Sequence, residues 1–265
     1  MSTAETVTAR DRTLERGHWR RMRVWASAHA VDDFYQGLVP AAVPYFVLER
    51  QFSYLGASGL ALAATLGSAL PQLAVGVLAD RHRLPCLAPL GVSLAGIGAG
   101  LAGLAPTYPL AFALLLLSGF GVAMFHPPAG RNARRAALGS TTAMSYFAAG
   151  GSVGFFIAPA LATPALDGLG VGATALFIPP AVLMGFVLLR QQRCAVDPSA
   201  AATYSGGIDH PGLFAALTCV EVIRSTISFA VLIKLGQDYL PTRPGTAAGV
   251  TLGLAVSAGG LFLPS

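Results

Sequence analysis

Residues 54–81 read YLGASGLALAATLGSALPQLAVGVLADR, with no charged residue before Asp80. A helix needs about 20 consecutive apolar residues to cross a bilayer. This stretch satisfies that need and then meets Asp80 and Arg81, so it predicts a membrane-spanning helix that stops at the headgroups. Seven further apolar segments can be drawn, at about Val24–Leu48, Leu87–Ala105, Leu110–Phe125, Ala143–Thr163, Val171–Leu189, Leu213–Leu235 and Thr246–Leu263. A polar stretch from Arg190 to His210 separates the sixth span from the seventh. The expected fold is an all-α membrane protein, a bundle of about eight spanning helices.

Composition supports this and excludes the alternatives. Charged residues make up 11% of the chain, against about 25% in a soluble domain. Apolar residues make up 54% and the mean hydropathy is +0.63. The 31 Gly and 18 Pro suit membrane helices better than soluble ones. A net charge of +5 invites a nucleic-acid reading, but the arginines form short clusters between apolar stretches and no basic-aromatic stripe is present, so no nucleic-acid partner is expected. Cys86, Cys194 and Cys219 show neither metal-ligand spacing nor a disulfide framework. Asp32 and Asp33 lie within the first apolar segment, which no cleaved signal peptide would tolerate; that helix is expected to stay in the mature protein.

Basic residues set the orientation. Arg10, Arg12, Arg16, Arg20, Arg21 and Arg23 precede helix 1, Arg81 and Arg83 follow helix 2, Arg131, Arg134 and Arg135 follow helix 4, and Arg190 and Arg193 follow helix 6. In an alternating topology all of these fall on one side, which the positive-inside rule makes cytoplasmic. The opposite loops carry only Arg50 and Arg243. The expected organisation is a cytoplasmic basic tail (1–23), an N-terminal six-helix bundle (24–189), a cytoplasmic central loop (190–211) and an incomplete C-terminal bundle of two helices (212–265).

Four groups of residues then point to a family. Gly76-Val77-Leu78-Ala79-Asp80-Arg81 closes helix 2. Helix 1 contains His29-Ala30-Val31-Asp32-Asp33 and then Gln36-Gly37. Helix 4 ends in Gly119-Phe120-Gly121-Val122-Ala123-Met124-Phe125-His126-Pro127. Helix 5 carries Met144-Ser145-Tyr146-Phe147, then Gly150, Gly151, Gly154 and Pro159. The first resembles the cytoplasmic-loop motif of the major facilitator superfamily, with Arg83 where the commoner pattern has Gly. Together with Gln72 and Pro89-Leu90-Gly91, the set resembles the fosmidomycin resistance branch of that superfamily. Pro128 stands where the branch often has an acidic residue, and Ala158 precedes Pro159 where Gly is common.

The resemblance covers residues 25–190 well and the rest loosely. It implies a proton-driven exporter of small organic molecules in the plasma (inner) membrane, with lipid, substrate and protons as partners, no cofactor and no enzymatic activity. It also implies twelve helices, of which this chain supplies about eight. The chain is therefore expected to be C-terminally truncated or to have lost its reading frame. A chain ending at Ser265 would be expected to be unstable and to transport little unless a partner completes it.

Single residues carry the chemistry. His29 and Asp33 are one turn apart and share a helix face. An acid at mid-membrane costs at least ~2.5 kcal/mol, so Asp33 is expected to face a cavity and to carry protons or bind substrate. Its alternative role is a polar pair that fixes packing. Asp32 is expected to point elsewhere, toward Gln36, in a packing role, with a coupling or substrate role as its alternative. His126 is expected at the cytoplasmic end of helix 4, which Pro127 and Pro128 would terminate, either as a gate or proton-entry residue or simply capping carbonyls. A metal site on His29 and Asp33 is not expected, since no further ligand cluster is visible in the sequence. Gly76 is expected to admit a neighbouring helix, Asp80 to cap or pair with a helix end, and Arg81 to hold the loop. Gly150, Gly151, Gly154 and Pro159 are expected to make helix 5 thin and bendable. Arg224 on helix 7 either pairs with Glu221 on its own helix or crosses to Asp33. Enzyme readings fail: Ser152 lacks a matching base, Glu221-x-x-Arg224 lacks an adjacent second carboxylate, and a His-x-x-x-Asp acyltransferase motif would lie outside the bilayer core.

Overall fold

A computed structural model describes residues 3–82, 84–193, 210–217 and 219–220, with side chains described from Gly17 onward. The order is α1 (Thr3–Arg50), α2 (Tyr54–Arg81), α3 (Leu87–Ala102), α4 (Tyr108–Ala137), α5 (Thr141–Leu169), a 3-10 turn (Val171–Phe177) and α6 (Ile178–Arg193). These match the first six expected spans, and no strand occurs among the described residues. Four of them are long and apolar enough to cross a membrane: Tyr54–Arg81, Tyr108–Ala137, Thr141–Leu169 and Val171–Gln192. Leu70, Leu73, Leu161, Leu183 and Phe186 stand exposed on the helix surfaces, as lipid-facing side chains do and as a surface in water rarely does.

Several boundaries differ from the expectation. The helix of α1 continues back through the basic tail to Thr3. The sixth span opens with a 3-10 turn before α6. The larger correction concerns α4, which runs through Pro127 and Pro128 to Ala137. The two prolines remove the N–H groups that would bond the carbonyls of Ala123 and Met124. Membrane helices tolerate this when packing holds the backbone on both sides of the break. Beyond the prolines, the Arg131 guanidinium donates to the Ala79 carbonyl at the end of α2, and Ala129, Ala133 and Ala137 are buried.

Helix pairing follows from glycine. The chief contacts are α1 with α5, α2 with α4, and α3 with α4 and α6. At the α1–α5 crossing, a Cβ on Gly37 would strike the Phe155 carbonyl, and one on Gly154 would strike the Ala30 carbonyl. At the α2–α4 crossing, Gly67 presses on the Leu116 carbonyl and Gly119 on that of Ala64. Each crossing thus takes one glycine from each helix against the partner's backbone, the small-residue contact that lets membrane helices approach closely. Exchanging the two three-helix halves maps one crossing onto the other, as internal repeats in transporter folds do.

Two apolar clusters fill the interior. One gathers Phe34, Tyr35, Leu38, Phe46, Leu60, Leu115 and Leu166. The other gathers Met22, Trp25, Val92, Phe125, Phe147 and Leu188. Beyond α6, residues 211–217 and 219–220 are helical. The rest of expected helices 7 and 8, with Glu221, Arg224 and Lys234, lies outside the described residues.

Candidate functional site

The polar residues of α1 sit where the two apolar clusters meet. His29 reaches Asp33 along the helix, Nε2 to Oδ2 at 3.3 Å. From α4, His126 reaches the other oxygen of the same carboxylate, Nε2 to Oδ1 at 3.1 Å. Its other nitrogen lies 3.5 Å from Asp32 Oδ2. Two carboxylates and two imidazoles from two helices therefore converge at one point. Gln36, one turn beyond Asp33, donates from Nε2 to Asp33 Oδ1 at 2.6 Å.

The tautomers follow from the neighbours. His29 Nδ1 lies 2.9 Å from the Phe147 carbonyl of α5. His126 Nδ1 lies 3.0 Å from the Val122 carbonyl of its own helix. A carbonyl only accepts, so each Nδ1 carries the hydrogen. Both Nε2 atoms then face a carboxylate that also only accepts when ionised. Each contact is attractive only with a proton, or another cation, between the two atoms. Among the described residues the ion pairs of Asp32 and Asp33 are with imidazoles alone.

Asp32 corrects the sequence reading. It is fully buried, beside His126, and neither oxygen has a hydrogen-bond partner among the described residues. Gln36 serves Asp33 instead. A buried carboxylate without donors is costly, and such an orphan beside three titratable groups marks a site.

Helix 5 gives the cluster its room. A Cβ on Gly151 would collide with the Asp33 carboxylate and sit 2.7 Å from His29 Nε2. Gly150 packs on the Ala26 backbone, and Phe147 stacks on the His29 ring at 4.4 Å. Pro159 lies exposed inside α5, which continues through it. Beside the cluster lies a cavity of about 280 Å³. Tyr35, Gln36, Thr65, Ser68 and Ser118 supply its polar lining, and Val122 and Phe155 part of its apolar lining. Gln36 belongs to both cavity and cluster.

The helix 2 motif is placed apart from this. Asp80 and Arg81 are exposed at the end of α2, and no ion pair of Asp80 occurs among the described residues. A Cβ on Gly76 would meet Pro127 at 3.8 Å, an ordinary contact. Space does not demand glycine there, contrary to the close approach expected.

Sequence reasoning missed Asp32 as a member of the cluster, the supporting carbonyl of Phe147, and the role of Gln36. Only Gln36 left a signal, its spacing of three from Asp33 on one helix.

Six tightly crossed helices around a buried carboxylate–imidazole cluster and an adjoining cavity make this a multi-pass membrane helix bundle. Comparison with known proteins places the likeness more closely. Over 165 residues the chain is 31% identical to the fosmidomycin resistance protein of Escherichia coli (strain K12), covering 62% of this chain and 40% of that protein. It is 30% identical over 147 residues to an uncharacterized MFS-type transporter, YfnC, of Bacillus subtilis (strain 168), covering 54% of this chain and 35% of that one. The chain thus spans about two-fifths of the length of these relatives. No family model and no solved structure matches it. The likeness of this all-α membrane helix bundle is thus to a fosmidomycin resistance protein and to an MFS-type transporter.

Proposed function

We propose that this chain belongs to a secondary active transporter that exports small organic molecules in exchange for protons. It would reside in the plasma membrane with its N-terminus and the 190–211 loop cytoplasmic. Residues 24–189 would be the N-terminal bundle and 212–265 would begin the second. The single observation that carries the proposal is the convergence of two Nε2 atoms on Asp33, with a hydrogen already committed at each Nδ1. Such an arrangement holds a proton and releases it when the helices move. Gln36 links that proton to the cavity, where a substrate would displace or reorient its amide. Arg224, Gly76, Asp80 and Arg81 are proposed as accessory: Arg224 as a cavity partner of Asp33, the others as a contact that changes between conformations. Pro159 would let α5 bend as the site opens.

Cells expressing the whole transporter to which this chain would belong, loaded with fosmidomycin, test this. The proposal expects efflux that stops when the proton gradient is collapsed and is lost in Asp33→Asn. Efflux that persists unchanged after collapse of the gradient would remove proton coupling.

A further inference from the structure

The same convergence has the makings of a metal site. We infer that His29, Asp33 and His126 bind a single first-row transition-metal dication of the Zn²⁺ class, in competition with protons. The inference goes beyond transport, because binding is read on the protein alone.

Three observations carry it. The first is donor chemistry. Two imidazole nitrogens and a carboxylate suit Zn²⁺ rather than Mg²⁺ or Ca²⁺, which take oxygen. One ligand atom from each residue lies within 4.8 Å of the others. The second is geometry. Bonds of ~2.0–2.1 Å in a tetrahedral site put ligand atoms about 3.3–3.4 Å apart. The Asp33–imidazole separations are 3.3 Å from His29 to Oδ2 and 3.1 Å from His126 to Oδ1, so one edge already has the required length and the other two, bounded by 4.8 Å, have to tighten onto a single oxygen. Both Nδ1–H groups rest on carbonyls, the outer-shell arrangement that aims Nε2 at a metal.

The third is charge. Asp32 is fully buried, orphaned and 3.5 Å from His126 Nδ1. With Asp33 it makes two negative charges, which one dication balances. The side chains of His29, Asp33 and His126 keep 13%, 16% and 23% of their surface exposed, which leaves a path of entry. Three protein ligands also leave the fourth position open to water, as in exchangeable sites.

The test uses full-length, metal-free protein carrying Cys86→Ser, Cys194→Ser and Cys219→Ser, so that thiols contribute nothing. Zn²⁺ is titrated at near-neutral pH against a chromophoric chelator, and Co²⁺ is added in parallel for its visible spectrum. The expected result is one Zn²⁺ per chain and the intense bands of tetrahedral Co²⁺. Binding is lost in His29→Ala, His126→Ala and Asp33→Asn, and falls about 10- to 100-fold in Asp32→Asn. His82→Gln, remote at the end of α2, leaves it unchanged. Each variant is also compared with the parent by circular dichroism and size-exclusion chromatography, and an unchanged fold separates ligand loss from misfolding. The inference is overturned if no Zn²⁺ binds, or if binding survives in the His29→Ala/His126→Ala double variant.

Discussion

The C-terminal end and the middle of α1 are both polar, and their side chains are partnered in different ways. At its C-terminal end, Glu49 takes the Val171 N–H on both carboxylate oxygens, at 2.9 and 3.1 Å, and so caps the 3-10 turn. Arg50 donates to the Gly103 carbonyl at 2.9 Å, and the Tyr45 hydroxyl donates to Asp167. Each group there has a fixed partner, mostly backbone. Around the middle of α1, His29, His126 and Asp33 also have fixed partners at one atom each, the Phe147 and Val122 carbonyls and the Gln36 amide. The contacts of both Nε2 atoms with Asp33, however, need a proton or another cation between them, and Asp32 has no donor among the described residues. A polar group tied to backbone fastens the bundle. One whose complement must be supplied from outside can be loaded and emptied.

Several experiments would break or sharpen that contrast. The largest effect is expected from Asp33→Asn, which should abolish gradient-driven efflux while leaving the folded yield intact, measured by transport and by size-exclusion chromatography of the same preparation. Next comes Gly151→Val. Its side chain would occupy the space of Asp33 and His29, and overpacking of that kind costs about 1–3 kcal/mol. A lowered midpoint in thermal unfolding, followed through Trp19 and Trp25, should accompany lost coupling. Glu49→Ala should behave in the opposite sense. Loss of the cap costs ~1 kcal/mol of stability, and the dependence of efflux on the proton gradient should persist; loss of that dependence would erase the distinction between the two regions. Gly76→Ala should do least. Its Cβ finds ordinary space beside Pro127, and replacing a helical glycine favours the helix by roughly 0.5–1 kcal/mol. A strongly lowered melting midpoint would show a close approach at Gly76 after all.

Much of this was legible in the sequence. Hydropathy located the first six spans, and the i, i+4 spacing of His29 and Asp33 predicted their contact. The partnership of Asp32 with His126 was not legible, because the face α1 turns toward α4 depends on its seating against α5. Glycines at Gly37, Gly150 and Gly154 set that seating, and a single sequence shows their presence without their partners. His126 was singled out on the wrong grounds. Pro127 and Pro128 read as a helix stop, which local propensity favours, yet packing by Ala129, Ala133 and Ala137 and the bond from Arg131 to α2 carry α4 on for two more turns. His126 therefore lies inside the helix rather than at its end, within reach of Asp32 and Asp33. The 3-10 opening of the sixth span left no mark beyond Gly170, whose positive φ of 75° permits the turn.

The central claim is that His29 and His126 hold their Nδ1 hydrogens on carbonyls and turn both Nε2 atoms to Asp33. Nitrogen-15 magnetic resonance of histidine-labelled protein in lipid reads this directly. The account predicts two imidazoles with protonated Nδ1 throughout, whose Nε2 signals titrate together and uncouple in Asp33→Asn. Nε2 hydrogens that stay fixed while Nδ1 stands bare, unmoved by Asp33→Asn, would contradict it.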